Sequence, residues 1–465
     1  MTRNKKVAEY ERKRLENIKR NEELLVSLNI KSTLSDLSAS AFKLRQHRAG
    51  TKSYKLSSKK KVRSETPIVI RRSLRAQGKA PKKLPKLKSQ VIPNEPPREL
   101  FPISMRDAIT SSESDEALVS KILSVCKKSG LENGDYGKKK FRVMASIDLD
   151  SMELVPENIA RVVPKRIVSV KFFPSADMSM VAVGNNLGDV GFWNVDSEDK
   201  DGDGIYIYHP HSAPVSAIVI QPFSLNKIFT CCYDGQVRSL DVQKEMFDLA
   251  YSTEHAIISM SQRPDDVNSL YIGEGHGVVH SWDERSGKTS FSWELHESRI
   301  NTIDFNPENL NMMATSSTDR TVCIWDLRKL GKSKPDSLKM ITCERGVQSA
   351  YFSPSGSHLA TTSVDVKIGV LSGTNYDNEV MIYHNNKTGL LISAFKGIWG
   401  WDDSHIYVGN MKRGVDIISA EKRRVVTTLD SSHITAIACR FDAHPLKPGM
   451  LAGATWGGQV YIWST

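Results

Sequence analysis

The sequence after about residue 159 repeats a short unit of three β-rich segments separated by tight turns. In the clearest copy, segments at 300–305, 312–316 and 322–325 are separated by Asn306-Pro307 and Asp319-Arg320. Its third segment ends in Trp325, which Asp326 follows. Such repetition constrains the fold more than composition does, because each unit must bury its faces against its neighbours.

Seven positions mark the end of the third segment in successive units: Trp193, Leu240, Trp282, Trp325, Leu371, Ile418 and Trp463. They are separated by 47, 42, 43, 46, 47 and 45 residues, close to the ~40–45 residues of a four-stranded WD-repeat blade. Seven blades around an axis cover one another's faces and leave only short edges. The sequence therefore predicts an all-β fold, a seven-bladed WD-repeat β-propeller over residues 141–465. A segment near 159–163 is expected to add the fourth strand of the last blade and close the ring.

Charge is distributed unevenly along the chain. Residues 1–140 hold 34 Lys and Arg against 15 Asp and Glu, whereas residues 141–465 hold 30 against 38. The net charge of +11 thus combines a basic arm with a mildly acidic body. This asymmetry predicts a polyanionic partner, most often nucleic acid. The alternative is a solvated tail that carries a nuclear import signal.

The arm has two parts. Apolar residues at helical spacing predict one basic amphipathic helix over 4–30, with the stripe Val7, Tyr10, Leu15, Ile18, Leu25 and Leu28. Residues 31–140 are rich in Lys, Ser and Pro and are expected to form a largely disordered linker, with a second helix within 101–125. The arm cations expected to contact DNA phosphates are Lys59, Lys60, Lys61, Arg71, Arg72, Arg75, Lys82 and Lys83.

Several functional classes lack support in the sequence. There is no apolar run long enough to span a membrane, and the charged first 20 residues do not resemble a secretion signal. The six cysteines form no C-x-x-C pair, so neither a disulfide framework nor a metal site is expected, and no cofactor is expected. No catalytic motif appears; the Asp and His residues of the repeats are expected to form structural hydrogen-bond networks. Asp201 and Asp203 lack the closing Glu of a calcium loop. A non-enzymatic binding protein is therefore predicted.

The sixth unit brings cations together with aromatic residues, which is the combination that phosphates and exposed bases require. The candidate DNA-binding residues of this face are Lys387, Lys396, Trp399, Trp401, Lys412 and Arg413, with Arg345 from a neighbouring connection. Core packing of the two tryptophans and a solvated loop at Lys412 and Arg413 are the alternatives.

Strings in both the arm and the propeller resemble a eukaryotic family of DNA damage-binding WD-repeat proteins. These are the fungal "changed mutation rate" proteins and their animal counterpart, WD repeat-containing protein 76. The resembling segments are 10–25, the R-x-S-x-R element at 71–75, 164–175, 384–389, 395–399, 411–416 and 457–463. The resemblance implies a nuclear protein, with room for a cytoplasmic pool, that acts in DNA metabolism and the damage response. It would bind single- and double-stranded DNA and prefer UV-damaged duplex.

Two shorter resemblances refine the partners. Residues 387–399 are similar to the lesion-probing loop in the small subunit of the UV-damaged-DNA-binding complex, with Leu390 in place of an aromatic wedge; leucine can also enter a base step. Trp-Asp-x-Arg occurs at 282–285 and 325–328 and is similar to the box through which substrate receptors bind the large adaptor of cullin-4 ubiquitin ligases. The corresponding adaptor-binding residues are Asp283, Arg285, Asp326 and Arg328. Loop bracing by both arginines is the alternative.

Two rival functions therefore stay open. In the first, the chain is a substrate receptor of a cullin-4 ligase, and the arm or the opposite face recruits a client. In the second, the chain is a scaffold for chromatin proteins such as histones, whose basic tails suit an acidic body. The scaffold hypothesis predicts that DNA binding resides in the arm alone.

Overall fold

Each of the seven repeated units forms a four-stranded antiparallel sheet, because short runs of β-branched and aromatic residues are separated by Gly- and Asp-rich turns. The computed structural model describes residues 19, 101–111, 115–128, 143–197, 204–221, 224–331, 335–389 and 392–465. Apart from residue 19, the helix predicted over 4–30 lies outside these residues, as do the predicted arm cations and Leu390. The predicted seven-bladed β-propeller is confirmed, and all seven end positions of the repeat fall in third strands.

We call the strands of each blade A to D in chain order. Blade 1 comprises β3 Ile167–Phe172, β4 Met180–Asn185, β5 Val190–Asn194 and β6 Ile205–Tyr208. Blade 2 comprises β7 Val215–Ile220, β8 Lys227–Cys232, β9 Gln236–Asp241 and β10 Met246–Ser252. Blade 3 comprises β11 Ile257–Gln262, β12 Ser269–Glu274, β13 Val278–Asp283 and β14 Lys288–Glu294.

Blade 4 comprises β15 Ile300–Phe305, β16 Met312–Ser317, β17 Thr321–Asp326 and β18 Lys339–Thr342. Blade 5 comprises β19 Val347–Phe352, β20 His358–Ser363, β21 Lys367–Ser372 and β22 Asn378–Tyr383. Blade 6 comprises β23 Ile398–Trp399, β24 His405–Gly409, β25 Val415–Ser419 and β26 Arg424–Leu429. Blade 7 comprises β27 Ala438–Ala443, β28 Leu451–Thr455, β29 Gln459–Trp463 and, as strand D, β2 Ile159–Arg161. The ring is thus closed by pairing of Ile159 with Tyr461 and of Arg161 with Gln459.

Part of the segment that the sequence assigns to the arm belongs to the folded body. Strand β1 (Ile103–Ser104) adds a fifth strand to blade 2 beside β10, and helix α1 (Met105–Ala108) follows directly. Helix α2 (Asp115–Lys128) agrees with the second predicted helix and buries a stripe that includes Leu118 and Ile122. For residues 101–111 and 115–128 the expectation of disorder is wrong, because their apolar side chains cover the core of blades 1 and 2.

Polar side chains on the inner strands tie successive blades together. The Oγ of Ser169, Ser216 and Ser259 each donates to a main-chain carbonyl of the next blade, at 3.0, 2.7 and 2.9 Å. Asn301 and Ser349 continue the pattern into blades 5 and 6. Burial of these groups is tolerated because each has a partner, and the blades are locked in register around the axis.

Strand direction assigns every turn to one of two faces. Because neighbouring strands are antiparallel, the B–C turns and the D-to-A connections share one face, which we call the BC face. The A–B and C–D turns share the other, the AB face. No helix among the described residues has the length and apolar character needed to cross a membrane.

Candidate nucleic-acid interface

Three of the predicted cations lie on the BC face at blade 6. Lys387 is exposed in the connection from blade 5, and Lys412 and Arg413 are exposed in the B–C turn. Buried residues alternate with exposed ones along this connection, so that His384 points inward and Lys387 points outward. The sequence prediction that these three cations share a surface thus agrees with the fold.

A partly buried carboxylate, that of Asp416, joins the two segments that carry these cations. His384 Nε2 lies 3.1 Å from Asp416 Oδ2, and Asn410 Nδ2 donates to Asp416 Oδ1 at 2.7 Å. Burial alone would raise the pKa of Asp416, but hydrogen bonds from His384, Thr428 and Asn410 outweigh it and lower the pKa. The ionised carboxylate therefore fixes the connection and the turn relative to each other.

The B–C turn of blade 6 holds a cation in an unfavourable backbone conformation. Arg413 has φ 75°, a left-handed conformation that costs a side-chain-bearing residue about 1–2 kcal/mol. Four other blades place a glycine with positive φ in the corresponding turn: Gly188, Gly235, Gly277 and Gly458. Blade 4 has Arg320 with φ 78°. Strain of this kind is often found where a side chain serves a function.

Arg345 lies on the same face in the neighbouring connection, from blade 4 to blade 5, and is exposed. The adjacent Glu344 carboxylate is held by Lys367 Nζ at 2.7 Å, which also lowers the pKa of Glu344. Its negative charge is thus largely offset locally, and Arg345 extends the positive surface of blade 6 by one blade.

Sequence reasoning missed an aromatic residue on this face. Trp456 is 48% exposed in the B–C turn of blade 7, and the glycine of that turn, Gly458, packs against the main-chain carbonyls of Val163 and Lys165. Exposed Leu187 and Met411 occupy the B–C turns of the two flanking blades. The available signal was its position directly before Gly457-Gly458 in a turn, where the equivalent residues of other blades are Tyr233, Thr318 and Val364. Aromatic and apolar tips thus lie on three adjacent blades beside the cations.

The two predicted tryptophans are not part of this surface. Trp399 and Trp401 are 2% and 1% exposed, and they lie at the opposite end of the inner strand. Trp399 Nε1 donates to the carbonyl of Tyr351 at 2.9 Å, and Trp401 Nε1 donates to that of His444 at 2.8 Å. The prediction that they stack on bases is therefore wrong; their indoles join blade 6 to blades 5 and 7.

Lys396 is also misplaced by the sequence prediction. It lines the axial channel, a cavity of about 480 Å³ enclosed by the A strands of all seven blades. Its Nζ donates to the carbonyl of Asn301 at 3.0 Å, and burial lowers its pKa well below the ordinary value. Arg440 shares the channel and donates to the carbonyls of Val168 and Ala394. Lys396 is therefore an internal cation rather than a phosphate contact on the BC face.

The Asp and His residues that recur in the repeats form structural hydrogen bonds, as the sequence predicts. In blade 4, Thr315 Oγ1 lies 2.7 Å from His296 Nε2 and accepts from Trp325 Nε1 at 2.8 Å. His296 Nδ1 is 3.0 Å from Asp319 Oδ2. Blade 2 has a related contact between His211 and Thr230. These chains of hydrogen bonds hold the B–C turn and the preceding connection together in blade 4, and in part in blade 2.

The two Trp-Asp-x-Arg motifs lie on the AB face at adjacent blades. Arg285 follows strand C of blade 3 and is exposed, and the nearby Asp283 accepts from the Arg285 main-chain N at 3.0 Å. Arg328 is exposed as well, and its Nε and Nη2 both donate to Asp326 at 2.9 Å. The second motif therefore braces its own loop, while its guanidinium edge still faces solvent.

Known proteins resemble the chain over most of its length. A model of the WD domain, G-beta repeat family matches residues 287–326, which run from the last strand of blade 3 to the third strand of blade 4. WD repeat-containing protein 76 of Xenopus laevis is 29% identical, over 98% of this chain and 80% of the relative. DNA damage-binding protein cmr1 of Neurospora crassa is 28% identical, over 98% of both chains. The Mus musculus WD repeat-containing protein 76 is 26% identical, over 97% of this chain and 74% of the relative.

The matches extend through the arm and the propeller alike, as did the strings that first indicated the family. Together with the seven-bladed fold, they show that the chain is a homologue, over nearly its full length, of the WD-repeat proteins named WD repeat-containing protein 76 and DNA damage-binding protein CMR1.

Proposed function

We propose that the chain is a non-enzymatic, nuclear DNA-binding protein of the damage response, and that its propeller binds DNA through the BC face at blades 6, 7 and 1. The observation that carries the proposal is the grouping of exposed Lys387, Lys412 and Arg413 beside exposed Trp456. This positive surface belongs to a body whose residues 141–465 are net acidic. The name of the fungal relatives, DNA damage-binding protein, supports it.

The chemistry of the face suits distorted DNA. Duplex DNA carries about one negative charge per 1.7 Å of its axis, so a few exposed cations give affinity without sequence preference. The tips of Leu187, Met411 and Trp456 add apolar surface that a stacked base cannot reach but an unstacked base can. We therefore expect single-stranded and UV-damaged DNA to bind more tightly than intact duplex.

The arm cations would add affinity of a different kind. Residues 31–90 contain 18 Lys and Arg against 2 Asp and Glu, and such a segment can follow phosphates without base contacts. If about six phosphates are neutralised, the logarithm of the binding constant should fall with the logarithm of salt concentration at a slope near −5. Specificity for damage is then expected from the propeller and general affinity from the arm.

The test uses the full chain and fluorescence anisotropy with intact duplex, UV-irradiated duplex and single-stranded probes across a salt series. The variant Lys387→Glu, Lys412→Glu, Arg413→Glu removes the positive surface. The matched control is Lys422→Glu, Arg423→Glu in the C–D turn of the same blade, which is exposed on the AB face. The proposal predicts weaker binding and a lost preference for irradiated duplex only in the first variant. Equal binding by both variants would assign DNA binding to the arm, as the histone-scaffold hypothesis requires.

A second candidate function is docking to the large adaptor of a cullin-4 ligase. It is favoured by the exposed Arg285 and Arg328 on adjacent blades of the AB face, since a guanidinium on a rim can make bidentate contacts with a partner. The two functions would use opposite faces and could operate together. Arg285→Ala, Arg328→Ala should abolish co-purification of the adaptor and leave DNA affinity unchanged; retained co-purification would exclude this docking mode.

A further inference from the structure

Blade 3 has a buried carboxylate at a position that the other blades fill with uncharged residues. The last residue of strand B is Glu274 in this blade and elsewhere is Asn185, Cys232, Ser317, Ser363, Gly409 or Thr455. Glu274 is 1% exposed. Burying a carboxylate costs several kcal/mol unless a cation or hydrogen bonds compensate it. An unusual charge at this point therefore requires a partner.

Imidazoles surround the carboxylate. His276 Nδ1 lies 3.2 Å from Glu274 Oε2, and His280 Nε2 lies 3.2 Å from Oε1. Within the described residues, neither contact is aligned as a full hydrogen bond. Both oxygens of the buried Glu274 carboxylate therefore lack a well-aligned hydrogen-bond partner among the described residues.

A third imidazole completes a donor set that opens to solvent on the BC face. His255, in the connection into blade 3, has its ring centroid 4.1 Å from that of His276. The ligand atoms of His255, Glu274 and His276 all lie within 4.8 Å of one another. Both histidines are exposed whereas Glu274 is buried. An ion could therefore enter from solvent and meet a carboxylate fixed in the blade.

We propose that His255, Glu274 and His276 form a binding site for a divalent first-row transition metal, of which zinc is the best match. Two imidazoles and one carboxylate form a typical three-ligand zinc set with a fourth position open to water. Bonds of about 2.0–2.1 Å to tetrahedral zinc place two ligand atoms roughly 3.3 Å apart, close to the 3.2 Å between His276 Nδ1 and Glu274 Oε2. Calcium and magnesium prefer all-oxygen sites.

His280 has a supporting role in this site. Its ring contacts the carboxylate oxygen opposite the one nearest His276. A group behind a metal-binding carboxylate orients it and tunes its basicity. The bound cation would supply the positive charge that compensates the buried carboxylate of Glu274. It would also join the connection into strand A to the B–C turn.

The test measures zinc bound by the tag-free full chain after dialysis against a chelator, by calorimetric titration with zinc chloride and by the visible absorption of added cobalt(II). We expect one zinc per chain and the intense cobalt bands of tetrahedral coordination. His276→Ala and His255→Ala should each weaken zinc binding by at least about tenfold, given what loss of even a supporting group costs. His433→Ala, an exposed histidine on the same face of blade 7, is the matched control and should bind as the parent chain does.

Glu274→Ser tests the site without reliance on histidine, because serine occupies this position in blades 4 and 5. It should remove zinc binding and fold at least as stably, since a buried charge is lost. Circular dichroism and thermal unfolding of the metal-free variants separate a lost site from a lost fold. The inference is overturned if the parent chain binds no zinc at micromolar concentration, or if folded His276→Ala and Glu274→Ser bind it with unchanged affinity.

Discussion

The ammonium group of Lys396 donates a hydrogen bond to the main-chain carbonyl of Asn301 at 3.0 Å, across the axial channel from blade 6 to blade 4. Burial lowers the pKa of Lys396, and the nearby Arg440 and Arg299 lower it further. A protonated Lys396 is therefore an electrostatic cost to the folded state, offset in part by this one bond. Lys396 lies close in the sequence to the exposed cations of blade 6, so the sequence gives no sign that its side chain is buried.

Replacing Lys396 with Met should leave DNA affinity unchanged and keep or raise stability. The folded-state pKa lies below the unfolded value of 10.5, so the unfolded chain binds the additional proton between the two values and stability of the parent chain rises with pH across that window. The variant should lack this alkaline rise in urea unfolding measured from pH 7 to 10. Loss of DNA binding in a stably folded Lys396→Met would return this residue to the DNA interface.

The packing of helix α2 on the core of blades 1 and 2 can be tested by substitution. Ile122 is fully buried in a core with Phe192 and Phe247, so Ile122→Ala should destabilise the chain by about 2–5 kcal/mol. Lys121→Ala, exposed on the same helix, should change stability by less than about 0.5 kcal/mol. Thermal unfolding followed by circular dichroism gives both values. If Ile122→Ala behaves like Lys121→Ala, residues 115–128 belong functionally to the arm.

The period of the repeat was sufficient to predict the number of blades, the third strands and the closing strand, because burying sheet faces imposes that period on every blade. It was not sufficient to place individual side chains of blade 6. Lys396 precedes the inner strand, Trp399 belongs to it and Trp401 follows it. Their side chains enter the channel or the spaces between blades. Only the three-dimensional packing distinguishes these surroundings from solvent.

The exposure of residues in turns was easier to predict from the sequence than that of residues in or next to strands. Lys412 and Arg413 occupy a B–C turn and are exposed there, as a charged pair at the tip of a turn is expected to be. Trp456 was missed because a tryptophan is expected to be buried. The informative signal was its position in a turn between two glycine-flanked strands, rather than its residue type.

Trp456 should contribute to binding of single strands. Stacking of a base on an aromatic residue is worth about 1–3 kcal/mol, so Trp456→Ala should weaken single-strand binding by that amount, while Trp456→Phe should retain most of it. Because the side chain is 48% exposed, neither change should alter the melting temperature appreciably. Quenching of Trp456 fluorescence by added oligonucleotide provides a second readout. Identical affinities for Ala and Phe variants would exclude stacking.

The hydrogen-bond network of blade 4 should make part of the free energy of unfolding depend on pH in the acid range. Burial alone would raise the pKa of Asp319, but hydrogen bonds from His296 and Thr321 outweigh it and hold the pKa well below its ordinary value of 3.8. The contribution is therefore present above pH 3.8 and is lost as pH falls from there toward the folded-state pKa. Asp319→Asn should cost about 1.5–3 kcal/mol at pH 7, with a smaller difference from the parent chain below pH 3.8. A difference independent of pH in urea unfolding would contradict this assignment.

Arg413 offers a direct test of whether the chain gives up stability for DNA binding. Its left-handed backbone, with φ 75°, is one that glycine adopts without penalty. Arg413→Gly should therefore stabilise the chain by up to about 1 kcal/mol and weaken DNA binding, with the salt slope reduced by about one as a phosphate contact is lost.

Arg320→Gly is the matched control, because Arg320 has φ 78° in the B–C turn of blade 4, away from the three-blade surface. It should stabilise the chain to the same extent and leave both DNA affinity and salt slope unchanged. Chemical unfolding gives the stabilities, and anisotropy across a salt series gives the slopes. If the two glycine variants weaken DNA binding equally, the contribution of Arg413 is general charge and the interface is not confined to blades 6, 7 and 1. If neither weakens it, the strained arginine serves no role in DNA binding.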